Sequence, residues 1–294
     1  MPSTTCSPDL LSVAAVAAVP AVPAIGASLR LSLTDPIRYV LRIADTCLIH
    51  AQRLAEWCGH GPVLEEDIAL TNMALDLLGQ ARALLSHAAQ LEGQLSRQRR
   101  DEDQLAFLRD ERDYFNLTLV EQPLRRGSAH APGGDFADTV LRNFLLASWF
   151  KPLWTDLQAS SDHTLAAIAA KALKEARYHQ QHAGDWVVRL GDGTPESGRR
   201  MAAALQRAWP YTHEMFVRDA VDQSAADSGL GPARDSLQAR FLIDVGAVLH
   251  NAQLALPATT PFVSTGSQGR HSEHLGFVLA EMQSLQRQHP GGRW

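Results

Sequence analysis

The sequence predicts an all-α protein, an up-down bundle of long helices with further helices toward its C-terminal end. Three observations carry this. Apolar residues recur at steps of three and four over segments far longer than a strand. No run alternates with period two between turn signals. The long helical patterns are joined by short turns rich in glycine and proline, as in helical hairpins.

The first helix is read over Asp35–Cys58, where Asp35 caps and Pro36 occupies the first turn. Ile37, Leu41, Ala44, Leu48, Ala51 and Ala55 keep its apolar stripe, and Gly59-His60-Gly61-Pro62 ends it. The segment Glu65–Leu95 then returns as one long amphipathic helix. Its seam is read as Leu64, Ile68, Thr71, Leu75, Leu78, Arg82, Leu85 and Ala89, steps of four and three along one face. A neighbouring stripe of Asn72, Asp76, Gly79 and Ala83 is expected to point inward as well.

Asp101–Leu119 reads as a shorter helix with an acidic start, which the helix dipole favours. Glu121–Gly134 is a loop rich in proline, glycine and arginine. Asp135–Gln158 and Asp162–Leu190 form a second long hairpin, the latter rich in Ala, Leu, Lys and Glu. Helices over Thr194–Phe216, Asp235–Leu254 and His271–His289 follow. The loop Leu256–Arg270 precedes the last of these.

A formal charge of −5 gives no basic excess for binding nucleic acid. The three cysteines, Cys6, Cys47 and Cys58, form neither a disulfide framework nor a zinc pattern, which fits a reducing compartment. Residues 1–34 are small and apolar but lack a basic start and carry Pro20 and Pro23, so they are expected to be a disordered extension. No stretch reaches the roughly 18 to 20 apolar residues that cross a membrane. One domain is expected over residues 35–290, with a tail at 291–294.

Bundles of such helices can hold two irons, using one Glu from each of two helices and a Glu-x-x-His pair from each of the others. The spacing puts both ligands of a pair on one helical face. No glutamate in this chain has a histidine three residues later; the second long helix reads Asp76-Leu77-Leu78-Gly79 at the corresponding place. The nearest approach is Glu175, His179 and His182 on the helix 162–190, with Asp76 and Asp45 able to face them. These five are read as a degenerate remnant of a metal site, a hydrogen-bonded network holding no metal. Asn143, Ser148 and Trp149 take the middle of the helix 135–158, where a carboxylate would be needed. His271 and His274 are read as an exposed helix start. Gly-x-Ser-x-Gly, Gly-x-Gly-x-x-Gly and P-loop motifs are absent.

The run Glu56–Pro62 (EWCGHGP) with Leu64–Leu70 (LEEDIAL) resembles the structural C subunits of the ring-1,2-phenylacetyl-CoA epoxidases, multicomponent bacterial oxygenases. ALDLLGQAR from Ala74, DEDQLAFLRDERD from Asp101, and KALKEARYH with DWVVRLGDG within Ile168–Gly193 extend the likeness from about Ile37 to the last helix. The resemblance implies a ferritin-like fold in a cytoplasmic subunit with no catalytic residues, cofactor or metal of its own. It implies pairing with a catalytic A subunit that carries the di-iron centre. A reductase subunit with FAD and an iron–sulfur cluster would supply electrons from NADPH. Residues 1–34 have no counterpart expected in that family, and the loop Leu124–Gly134 is longer than the family's usual turn at that place. Two rivals are kept: a di-metal oxygenase using Asp45, Asp76, Glu175, His179 and His182, and a helical adaptor without an oxygenase partner.

Overall fold

The computed structural model describes residues 28–123 and 136–292. Ten α-helices lie among them. Helix α1 (Asp35–Ala55) and α2 (Leu64–Ser96) form one long hairpin, and α4 (Phe136–Leu157) and α5 (His163–Gly191) the other, with α2 packed along α5. The short α3 (Glu102–Phe107) crosses the far end of α2. Helices α6 (Pro195–Thr212) and α8 (Gln238–Asn251) lie on α4 and α5, α7 (Ala220–Asp227) on α1, and α9 (Glu273–Met282) with α10 (Ser284–Gln288) closes the end beside α1. The class is the one the periodicity predicts, an all-α bundle with additional C-terminal helices, and its form is the ferritin-like one that the resemblance implies.

The seam expected on α2 is displaced. Leu70, Met73, Leu77, Ala81, Leu84 and Ala88 are buried, whereas Leu64, Ile68, Leu75 and Leu78 face outward. Asn72 and Gly79 of the stripe expected inward are exposed too. Helix α2 carries two apolar stripes at helical spacing, and the pattern alone cannot say which one meets the bundle. The outer stripe is covered only where α3 crosses it. There Glu102 of α3 accepts from Arg82 and Ser86, and beyond that point Leu85 and Ala89 are buried.

The helix expected over Asp101–Leu119 stops at Phe107. Its continuation runs through short 3₁₀ turns at Glu111–Asp113 and Thr118–Glu121. Side chains from elsewhere replace the lost helical hydrogen bonds, as buried backbone requires. Asp45 Oδ2 accepts from Phe115 N at 2.9 Å, Thr46 Oγ1 from Leu117 N at 3.1 Å, and Glu214 Oε2 from Thr118 N at 3.1 Å. Likewise the single helix expected over His271–His289 breaks at Gln283 into α9 and α10.

Residues 28–34, placed in the extension by sequence, run along the bundle. Leu29 is buried and donates its N–H to Leu108 O, and Ser32 N donates to Glu92 Oε1. The remainder of the extension and the loop Leu124–Gly134 lie outside the described residues.

A second polar layer pins α7 to the bundle. Arg42 of α1 grips Asp219 with both terminal nitrogens, and Arg234 binds Asp222 at 3.0 Å. Burial raises the Asp219 carboxyl, but the Arg42 hydrogen bond and charge outweigh it and hold this acid well below the usual range.

Candidate functional site

The bundle interior is where a di-iron centre would be built, and each element brings a side chain to it. Helix α1 supplies Cys47 and His50 on one face, α2 supplies Gln80 with Asp76 at the edge, α4 supplies Asn143, and α5 supplies Glu175 and His179. These groups are hydrogen-bonded to one another and to their neighbours, although the enclosed His50 Nδ1 has no partner among the described residues. Cys47 Sγ donates to Gln80 Oε1 at 3.5 Å, and Gln80 Nε2 donates to Glu175 Oε2 at 2.8 Å. Lys171, one turn before Glu175, lies 3.6 Å from its other oxygen. Asn143 directs its Nδ2 to Met73 Sδ at 3.0 Å and its Oδ1 to His50 Nε2 at 3.2 Å.

That last contact fixes the imidazole. With Nε2 against a carbonyl oxygen, His50 carries its proton there and is neutral. Burial, then the nearby Arg142 charge, push its pKa down to about 3. A cavity of about 10 Å³ remains between His50, Gln80, Asn143, Phe150 and His179, the room of a single water molecule.

The five residues singled out by sequence do not converge. His179 Nε2 meets Asp76 Oδ2 at 3.1 Å, a contact on the α2–α5 seam. His182 lies farther along that seam, 3.1 Å from Glu66 Oε2. Glu175 is engaged by Gln80. Asp45 turns away altogether. Its fully buried carboxylate is gripped on both oxygens by Arg109, which is also fully buried, with one contact at 3.0 Å. Arg109 in turn lies over the Tyr114 ring at 4.2 Å. So Asp45 anchors the 108–115 loop rather than facing the interior.

Sequence reasoning missed Gln80, Cys47 and His50 as members of the interior network. Gln80 and Cys47 read as ordinary helix residues, and only His50, one turn beyond Cys47 on the same face, offered a signal. His271 corrects a second reading. It is not an exposed helix start; its side chain is fully buried. Nδ1 meets Glu121 Oε1 at 2.7 Å and Nε2 meets Tyr114 O at 2.9 Å. Glu121 also accepts from Asn116 Nδ2 at 2.9 Å and from Ser272 N and Oγ at 2.7 Å.

Because both ring nitrogens of His271 face acceptors, the ring is an imidazolium with two donated N–H groups. Burial lowers its pKa, but the Glu121 hydrogen bond and charge and the Tyr114 carbonyl overcome this and the net shift is upward. A raised folded pKa gives stability that is complete below the unfolded value of about 6.5 and is lost as pH rises through the folded value. Denaturation midpoints measured from pH 6 to pH 9 should therefore fall more steeply for this chain than for His271→Gln. Parallel curves would contradict the imidazolium.

Among the described residues, no three of His, Cys, Asp or Glu are placed to hold a metal ion. The donor chemistry gives the reason: where a di-iron centre needs several bridging carboxylates beside its imidazoles, Glu175 is engaged by Gln80, His50 by Asn143 and His179 by Asp76, and Cys47, Gln80 and Asn143 bring a thiol and two amides. The residues present do not fit a carboxylate-bridged iron pair. Fold and interior together define a ferritin-like bundle whose centre is closed by its own polar side chains.

The sequence comparisons place that bundle in a family. The chain belongs to the PaaA/PaaC family of phenylacetic acid catabolic proteins, whose model matches residues 25–294. It is 46% identical over 256 residues to the C subunit of the 1,2-phenylacetyl-CoA epoxidase of Escherichia coli (strain K12), covering 87% of this chain and 98% of the relative. No helix among the described residues is long and apolar enough to cross a membrane.

Proposed function

We propose that this chain is the non-catalytic structural subunit of a phenylacetyl-CoA ring epoxidase, a cytoplasmic protein that pairs with and stabilises the di-iron catalytic subunit. The observation that supports this reading is the interior: Cys47 donates to Gln80, Gln80 donates to Glu175, and Asn143 is held between Met73 and His50, so the polar groups there are engaged with protein partners. The relative's name supplies the complex. In that complex the partner subunit holds the iron, a reductase subunit with FAD and an iron–sulfur cluster delivers electrons from NADPH, and this chain supplies a rigid docking surface.

A surface suited to that role is present. Over its first four turns the outer face of α2 bares Leu64 (72% exposed), Ile68 (51%), Leu75 (59%) and Leu78 (41%). Tyr178 of α5, 52% exposed, adds an aromatic ring beside it, packed edge-on against His179. Contiguous apolar side chains at heptad spacing on a solvent-facing helix are the pattern of a helix that packs against another chain.

The test is reconstitution. The catalytic subunit, the reductase and this chain are combined, and NADPH-dependent oxidation of phenylacetyl-CoA is measured with each left out in turn. Activity should need this chain, and the iron should stay with the catalytic subunit. Undiminished activity without this chain would overturn the proposal. In the same assay Glu175→Ala, which leaves Gln80 Nε2 without its acceptor, should lower the stability of this chain by about 1 kcal/mol and leave the iron content of the complex unchanged. Loss of iron on that substitution would restore the di-metal reading.

A further inference from the structure

Two buried arginines lie side by side at the end of the bundle where α1 stops, and they are used differently. Arg53 of α1 is fully engaged: Nε and Nη2 both donate to Glu121 O, and Nη1 pairs with Glu56 at 2.6 Å. Arg142 of α4 is only 3% exposed and donates Nη1 to Gln122 O. Its Nε and Nη2 are enclosed and have no hydrogen-bond partner among the described residues. Among the described residues Arg142 forms no ion pair. The neighbouring carboxylates whose charge it feels, Glu56 and Asp138, are already bound to Arg53 and Arg207.

The two unused atoms are not scattered. Nε–H and Nη2–H are the parallel donors on one edge of the guanidinium plane, the edge that takes two oxygens of a carboxylate or phosphate at once. A buried cation with that edge idle is costly, and the adjacent Arg53 adds repulsion. Burial first, and the Arg53 charge second, push the Arg142 pKa down to about 9, so at neutral pH it remains a cation. Nothing in the network of the interior needs this charge: His50, which feels it, is neutral through its burial first and this charge second.

We propose that the Nε/Nη2 edge of Arg142 is a buried receptor for one small oxyanion, a phosphate or a carboxylate, which completes the charge balance between α1 and α4. The edge is closed to solvent, so the anion enters during folding or through local opening, and it exchanges slowly. A carboxylate and a phosphate offer this edge the same pair of oxygens, and the experiment separates them.

The full chain is unfolded and refolded in anion-poor buffer containing inorganic phosphate in one arm and acetate in another. Retained anion is measured after gel filtration. The expected result is about one equivalent of one of the two per chain, with retention reduced at least about tenfold in Arg142→Lys, which keeps the charge and loses the parallel donors. Should that variant not refold, the unaltered chain decides alone. A saturable rise in its melting temperature with either anion, above that from sodium chloride at equal ionic strength, supports the site. In anion-free buffer Arg142→Met should be at least as stable as the unaltered chain, because it removes an unpaired buried charge. Retention of neither anion, equal retention by Arg142→Lys, or an ordered water alone on the edge in a high-resolution structure would overturn the proposal.

Discussion

Leu75→Glu, combined with Leu78→Glu, is expected to leave the isolated chain folded and to weaken its pairing with the catalytic subunit by about 30-fold or more. Both side chains are largely exposed, so the substitution removes almost no core packing, and surface changes of that kind fall within about 0.5 kcal/mol. At an interface they would be central apolar anchors, and losing such an anchor typically costs about 2 kcal/mol or more of binding. Two glutamates would also place unpaired charge in a desolvated contact. The control is Leu84→Glu, two turns along on the buried face, which should destabilise the chain itself. Helical content and melting temperature check the first half of the prediction; affinity measured by interferometry checks the second. Unchanged affinity would move the partner to another face of the bundle.

The second large effect is on stability. Asp45→Ala should cost about 3–5 kcal/mol, because it strands the fully buried Arg109 without its counter-charge. It also removes the acceptor for Phe115 N, so the loop that runs from α3 to the 3₁₀ turn at Thr118–Glu121 loses its anchor on α1. Against a total stability of about 5–15 kcal/mol for a domain, that loss is severe. Part of it should return in the double variant Asp45→Ala/Arg109→Met, where neither charge is left alone in an apolar setting. Urea denaturation of the three proteins gives the comparison. A loss below about 1 kcal/mol in the single variant would mean that water reaches Arg109, contrary to its burial.

How much of this was legible in the sequence depends on what set each feature. The long hairpins were, because apolar spacing, helix formers and Gly-Pro turns all agree over 35–95 and 135–190. The missing Glu-x-x-His pairs were legible as well, since that spacing is local to one helix. The inward face of α2 was not. Leu64-Ile68-Leu75-Leu78 and Leu70-Leu77-Leu84 both keep helical spacing, and the choice between them is made by packing against α1 and the sequence-distant α5, not by α2 itself.

The same limit explains the helix 101–119 and His271. A stretch such as Arg109–Thr118 can leave the helix only if remote side chains take over its backbone hydrogen bonds, and Asp45, Thr46 and Glu214 do so. His271 reads as a solvent-facing helix start until Glu121, 150 residues away, is brought against it. Asp45 reads as a site residue because it is an acid on an interior helix; its partner Arg109 lies in the stretch that the periodicity assigns to a helix.

The central claim is that this bundle packs against a catalytic partner and holds no iron of its own. Its most direct test is the iron, manganese and zinc content per chain of the protein purified alone from metal-supplemented cells. A bundle closed by its own side chains should hold less than about a tenth of an equivalent of each, against about two irons for a filled carboxylate-bridged centre. One to two equivalents, at about the level of such a centre and lost on changing Glu175 or His179, would contradict it and assign the oxidation chemistry to this chain.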